Sequence, residues 1–211
     1  MSGAADRRAP SMSNSEPDLA SHARHRMANL FQLLTTLTRM RIQRARGEEA
    51  RLQLTWLLGT MGALSVLQAR LWSADGEDFS GFLEEMRPIW KRRCAGRRIE
   101  VEVEAAAVKA PEQLASALSL IVHELVGNAI DHGFVDGRAG HIRVRLEMID
   151  GARACLTVSD DGQGYDPASL AGETLGLWLV QGLTAQLRGV LTTTTTDGVT
   201  ARLEFPNDTG D

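Results

Sequence analysis

Two short stretches of this chain concentrate residues able to do chemistry. The first is His123-Glu124-Leu125-Val126-Gly127-Asn128-Ala129-Ile130-Asp131-His132-Gly133, set in an apolar, helix-forming context. Glu124 and Asn128 are four apart, so their side chains leave one helix face together. A carboxylate and a carboxamide at that spacing can hold a magnesium ion and order a water near a triphosphate. Mg²⁺ takes few protein oxygens and keeps several waters, so two such groups suffice. The second stretch is Ser159-Asp160-Asp161-Gly162-Gln163-Gly164. Asp160 there ends an alternating strand and enters a glycine-flanked turn, a setting for a buried acceptor that reads the amino group of a base. Neither stretch is specific alone, since a surface Glu/Asn pair and an Asp-Gly turn are both common.

The elements that must position these groups follow from periodicity. Residues from about Asp18 to Arg46 repeat apolar side chains at helical spacing, with Met27, Leu30, Phe31, Leu34 and Leu37 on one face. After Gly47-Glu48-Glu49 a second helix runs to about Ser73, with Leu54, Leu57, Met61, Leu64 and Leu71 at near-heptad spacing. Two long helices with a tight connection make an antiparallel hairpin. One hairpin cannot cover two apolar stripes, so the pattern predicts a homodimeric four-helix bundle. The alternative is that the helices pack on the rest of the same chain.

Ser73-Ala74-Asp75-Gly76-Glu77-Asp78 reads as a polar hinge. Phe79 to Arg93 follows as a helix that Pro88 would end or kink. Arg98 to Glu104 alternates as a half-buried strand, and Pro111 opens the helix bearing Glu124 and Asn128. Strands over His141–Ile149 and Ala152–Ser159 join at Asp150-Gly151. A helix from about Leu175 to Leu187 precedes a closing hairpin, Gly189–Thr196 and Val199–Phe205, turning at Asp197-Gly198. Its five consecutive threonines favour strand. The order β-α-β-β-α-β-β predicts helices on one face of a mixed, mostly antiparallel sheet, an α/β sandwich within an α+β chain. The divisions expected are a disordered tail over 1–19, the helical hairpin over 20–75 and the sandwich over 76–208.

Composition narrows the class. The 211 residues are 43% hydrophobic and 24% charged, ordinary for a globular protein. A net charge of −4 supplies no basic field for nucleic acid. Cys94 and Cys155 have neither metal-site spacing nor a disulfide framework and fit a reducing cytosol. No apolar run is read as a membrane span of about 18 residues, and the polar start has no signal-peptide core. The expected location is the cytoplasm.

On a wheel of 100° per residue, His25, Asn29, Gln32, Thr36, Arg39 and Gln43 fall within about 40° of one direction, opposite the Met27/Leu30/Leu34 stripe. An imidazole facing solvent there offers a nitrogen to a phosphoryl group. His25-Arg26-Met27-Ala28-Asn29-Leu30-Phe31-Gln32 resembles the H-R-x-K-N-x-L-Q phosphoacceptor box of histidine kinases of the HWE and closely related short-lid group. Ala28 stands where that box has lysine, and Ala23-Arg24 where an acidic residue commonly precedes the histidine. Ala63-Leu64-Ser65-Val66-Leu67-Gln68 through Gly81-Phe82-Leu83 is similar to their second dimerisation helix and its exit. The stretches around Glu124 and Asp160 resemble the N and G1 boxes of the GHKL (Bergerat) ATP-binding fold. Thr174-Leu175-Gly176-Leu177-Trp178-Leu179-Val180 resembles its G2 box, opening a helix whose N-terminus suits phosphate.

The resemblance implies a soluble ATP-dependent histidine kinase core in two-component signalling. His25 would be the acceptor, with His22 one turn earlier the weaker candidate. Glu124 would orient or deprotonate through a water, and Asn128 would ligate Mg²⁺. Asp160 would accept from adenine while Gly162 and Gly164 let the backbone turn close to ATP. Thr174 and Gly176 would face phosphate; His132 would either touch phosphate or cap its helix. The implied partners are a response-regulator receiver domain docking along the polar face from His25 to Arg39, a second copy of the chain, and a separate sensor protein. Two other readings fit parts of the pattern: a histidine phosphotransferase or adaptor with a degenerate nucleotide domain, and an anti-sigma-factor serine kinase. Residues 20–73 argue against the last.

Overall fold

A computed structural model describes residues 16–71, 77–135, 137–164 and 175–207. Helix α1 (Glu16–Arg44) turns through Gly47, whose φ of +115° favours glycine, into α2 (Glu48–Leu71). Then come α3 (Phe79–Arg93), β1 (Ile99–Ala105), α4 (Glu112–Asn128), β2 (Gly140–Met148), β3 (Arg153–Asp160), α5 (Leu175–Gln186), β4 (Val190–Thr194) and β5 (Val199–Pro206). The sheet order is β1-β2-β3-β5-β4, with β1 and β2 parallel and the other pairs antiparallel. A mixed α+β chain results, with a helical N-terminal part ahead of an α/β sandwich.

Strand alternation decides which sheet face is covered. Val101, Ile142, Val144, Leu156 and Leu203 point inward and are buried with Leu118, Ile121 and Val122 of α4. The opposite face carries charged side chains paired across strands: Glu102 accepts from Arg143 at 3.0 Å and Glu104 from Arg145 at 2.8 Å. Such exposed pairs are worth about 0–1 kcal/mol each, so they keep that face wet more than they hold the fold.

Helix α3 is capped by Asp78, whose carboxylate accepts from the Ser80 backbone N–H at 3.0 Å and its hydroxyl at 2.8 Å. It runs on through Pro88, the residue marked by the sequence as a stop or kink. Pro88 lies on the exposed side, where the carbonyl it leaves unbonded meets water, while Phe82, Met86 and Trp90 stay buried on the other. Of the polar hinge, Glu77 and Asp78 are described: the Glu77 carbonyl accepts from Ala110 N–H at 2.7 Å. Residues 73–76, the tail over 1–15 and the segment 165–174 lie outside the described residues.

The hairpin differs from expectation in what covers it. Thr38 Oγ1 meets Met61 Sδ at 3.9 Å across the two helices, and Phe31, Thr35 and Ile42 are half-buried on the same side of α1. The fully buried residues of α2 are Thr60, Ala63 and Leu67, which pack toward α4. Met27, Leu30, Leu33, Leu34, Leu37 and Met40 of α1 stay exposed, Leu33 as much as 55%. Within one chain α2 thus uses its second face on the sandwich. The apolar stripe of α1 has no cover among the described residues.

The reading that no stretch suits a membrane span also needs correction. Glu48–Leu71 and Glu112–Gly133 are both long and apolar enough by length and composition. Leu52 to Ala69 holds no charged residue, although Gln53, Gly59, Thr60, Gly62 and Gln68 interrupt its apolar side chains. Glu112–Gly133 is the core helix of the sandwich and most of it is buried inside the protein.

Candidate nucleotide site

Helix α4 does not end at Asn128 but widens into a π-helical turn, Ala129–Gly133. Such turns shift the phase of a helix and leave carbonyls to be satisfied elsewhere. Arg97 does this, donating to the carbonyls of Ile130 at 2.6 Å and Phe134 at 3.0 Å. Arg93 pairs with Asp131 beside it. Gln163 binds the turn to the loop after β3: its backbone N–H donates to Gly133 O at 2.9 Å and its side chain to His132 O at 3.1 Å. The two chemistry-bearing stretches are thereby fastened to each other.

Between them opens a cavity of about 310 Å³. Asn128, His132, Asp160, Gln163 and Gly164 line it, against apolar walls that include Val158, Leu191 and Ala201. Asp160 is buried at its edge, with Oδ1 accepting from the Gly162 N–H at 2.9 Å. Burial pushes its carboxyl above the usual range, while backbone N–H groups of Gly162 and Val199 pull it back. Gly162 must be glycine: a β-carbon there would lie 2.7 Å from Asp160 Oδ1 and collide with Gly133 O. A flat apolar slot with a buried carboxylate at its edge fits a purine that presents an amino group. Asn128, exposed at the same wall, fits a neutral oxygen ligand for Mg²⁺ at a phosphate chain.

Asn128, His132, Asp160 and Gly164 are therefore brought together, with Gly162 beneath them. His132 lines the cavity from the π-helical turn that follows α4. Thr174 lies outside the described residues. Glu124 and Gly176 are near each other but away from the cavity wall. Glu124 is 5% exposed, and a β-carbon at Gly176 would collide with its Oε2. Burial raises the Glu124 pKa, offset by the Trp56 indole and by the charge of Arg93, while Asp131 adds to the rise. Trp56 Nε1 lies close enough to act on the carboxylate yet makes no hydrogen bond of good geometry. His25 is exposed on α1, as are Asn29, Gln32, Thr36 and Arg39.

Three contributors were not legible in sequence: Trp56 and Gly59 of α2, and Arg93 of α3. The Gly59 backbone packs on His123; a β-carbon there would be 2.9 Å from Nε2. Burial, with help from Arg93, holds the His123 imidazole down at about 4. The only sequence hint for Arg93 is the basic run at the end of α3.

The cavity thus lies between the core helix of a covered mixed sheet and an Asp-Gly turn. Residues 113–209, a little under half of the chain, match the histidine kinase-, DNA gyrase B-, and HSP90-like ATPase family. Blue-light-activated histidine kinase 2 of Erythrobacter litoralis is 34% identical over 95 residues, 42% of this chain and 28% of that protein. DNA mismatch repair protein MutL of Rhodospirillum rubrum is 46% identical over 66 residues, 31% of this chain and 9% of that protein. The matched stretches thus span less than a third of either curated relative. In structure, the histidine kinase domain of the Erythrobacter litoralis EL346 blue-light activated histidine kinase gives a TM-score of 0.69 at 21% identity, covering 85% of this chain and 95% of that one. Full-length ShkA in complex with AMPPNP gives 0.54 at 22% identity, covering 90% and 46%.

Proposed function

We propose that this chain is the catalytic core of an ATP-dependent histidine kinase, which phosphorylates His25 and passes the group to a response-regulator aspartate. The observation that carries the reading is the cavity joining Asn128, His132 and Asp160, in a chain that also presents His25 on an exposed helical face. The sandwich alone does not choose among its family, since the matched relatives include a mismatch repair protein. A fold shared with a histidine kinase domain over 85% of this chain supports the kinase reading.

In this reading Asp160 accepts from the adenine amino group and Asn128 gives an oxygen to Mg²⁺, which neutralises charge on the phosphates. Glu124 orients the reacting partner through a water, and His132 stands by the phosphate chain. Catalysis is mainly positioning and charge compensation, as suits phosphoryl transfer. Two unpaired, buried cysteines, Cys94 and Cys155, fit a cytoplasmic enzyme. The exposed Met27/Leu30/Leu34 stripe is best covered by a second copy, which would complete the four-helix bundle.

One geometric fact bears on the transfer step. Thr38 faces Met61 and His123 faces Gly59, so levels along the hairpin can be compared. At 1.5 Å per residue, His25 and Glu124 lie roughly 24 Å apart along its axis. The sandwich must travel along the hairpin before transfer. The same separation, with Glu124 covered, favours a second reading, a phosphotransferase adaptor that receives its phosphoryl group from elsewhere.

Incubating the full chain with γ-labelled ATP and Mg²⁺ tests the proposal. The kinase reading expects an acid-labile, base-stable phosphoprotein. Nucleotide binding without label would favour the adaptor.

A further inference from the structure

Glu124 is shut off by two elements other than its own. Trp56 of α2 lies on one side and the bare α-carbon of Gly176, in α5, on another; a β-carbon at Gly176 would collide with Glu124 Oε2 and sit 3.6 Å from Trp56 Nε1. The indole, the carboxylate and the glycine thus form a single contact. Trp56 Nε1 is buried and makes no well-formed hydrogen bond among the described residues, and the Glu124 carboxylate lies beside it.

Helix α2 is held in this place by small residues. Gly59 lets the backbone of α2 come against His123, and buried Thr60 and Ala63 continue the close approach. Gln68 Nε2 reaches Glu112 Oε1 at 3.5 Å at the other end, so α2 and α4 run antiparallel along their contact. One turn beyond Glu124, Asn128 is exposed and lines the cavity; Glu124 does not. Glu124 is 5% exposed and lies against α2 and α5, so its carboxylate does not face the cavity in which a water would be ordered for the reaction while α2 sits there.

We propose that Trp56 is a positioning residue for Glu124, holding the carboxylate out of the nucleotide cavity while α2 is docked on α4. The inference rests on the kinase reading for its effect on turnover, but the shielding itself does not. Since α2 belongs to the hairpin that carries His25, a shift of the hairpin and release of Glu124 are one event. The hairpin thereby reports its position directly to the N-box carboxylate.

Carbodiimide coupling of carboxylates on the full chain, mapped by mass spectrometry, reads the shielding. ATP turnover and nucleotide affinity are measured on the same proteins. Glu124 should be nearly unmodified in the wild type. Trp56→Ala should raise its modification about tenfold, and Gly59→Ala, whose methyl would press on the His123 ring 2.9 Å away, should raise it too. Trp56→Phe keeps a ring over the carboxylate and should stay shielded. Glu102 and Glu104, exposed on the far sheet face, should be modified equally in all and so report an intact fold. Turnover should rise about fivefold in both opened variants, with nucleotide affinity unchanged, because Trp56 and Gly59 do not line the cavity. Equal Glu124 modification in wild type and both variants overturns the proposal. So does greater modification with turnover no higher than in an active wild type. If no protein turns over ATP, the kinase reading is what fails, and the coupling pattern alone sustains or overturns the shielding.

Discussion

Glu124 and Asn128 stand four residues apart on one face of α4, yet Asn128 opens onto the cavity while Glu124 is closed beneath Trp56 and Gly176. The docking of α2 and α5 over Glu124 divides the pair. In the proposed kinase reading, metal ligation and nucleotide capture would be available in this arrangement, whereas the step assigned to Glu124 would be withheld.

Asp160→Asn should weaken nucleotide binding about tenfold or more, because a hydrogen bond to a charged acceptor contributes roughly 1.5–3 kcal/mol and the replacement puts a donor at its edge. Asn128→Ala should instead weaken binding only when Mg²⁺ is present. Titration calorimetry with and without Mg²⁺ separates the two. Unchanged affinity in the Asp160 variant would mean the cavity does not read a base.

The neutral, buried His123 has a signature in stability against pH. Its imidazole sits at about 4 in the fold and near 6.5 when unfolded. Between those values the unfolded chain binds more protons, so this contribution is complete above pH 6.5 and is lost as pH falls toward 4. Glu124 and Asp160, both raised by burial, act in the opposite direction, losing stability as pH rises. The informative quantity is therefore the wild type minus His123→Gln difference in denaturant unfolding. It should shift by about 2 kcal/mol against the wild type from pH 7 to pH 5. A difference that does not change with pH would mean His123 is solvated.

Assembly has its own test. Leu34→Glu or Leu37→Glu places a charge in the exposed stripe of α1, where each covered leucine would be worth on the order of 1.5–3 kcal/mol. The full chain should sediment as a dimer at micromolar concentration and the variants as monomers of unchanged helicity. A monomeric wild type would leave α1 uncovered and remove the bundle.

Much of the fold is legible because its signals are local. Alternation in Ile99–Ala105 and the Asp150-Gly151 and Asp197-Gly198 turns mark the strands, and apolar periodicity marks the helices. The hairpin's inner face is less legible. Periodicity points to the large side chains Leu54, Leu57, Met61 and Leu64, but α2 buries Thr60, Ala63 and Leu67. Small residues permit close helix approach while contributing little to a hydrophobic pattern. Asn128, His132, Asp160, Gly162 and Gly164 lie together because one helix end and one turn hold them, a convergence that the motif resemblance implies and spacing alone does not. The cover over Glu124 needs α2 and α5, distant in sequence, and no spacing rule encodes it. The π-helical turn also escapes the sequence, since the carbonyls it frees are met by Arg97 from another element.

The central claim is that ATP phosphorylates a histidine on the exposed face of α1. Labelling the wild-type chain, His25→Ala and His22→Ala with γ-labelled ATP and Mg²⁺, followed by acid and alkali treatment, tests it most directly. The account predicts acid-labile, base-stable label in wild type and His22→Ala, and none in His25→Ala. Label that persists in His25→Ala, or that survives acid and is lost in alkali, would contradict it.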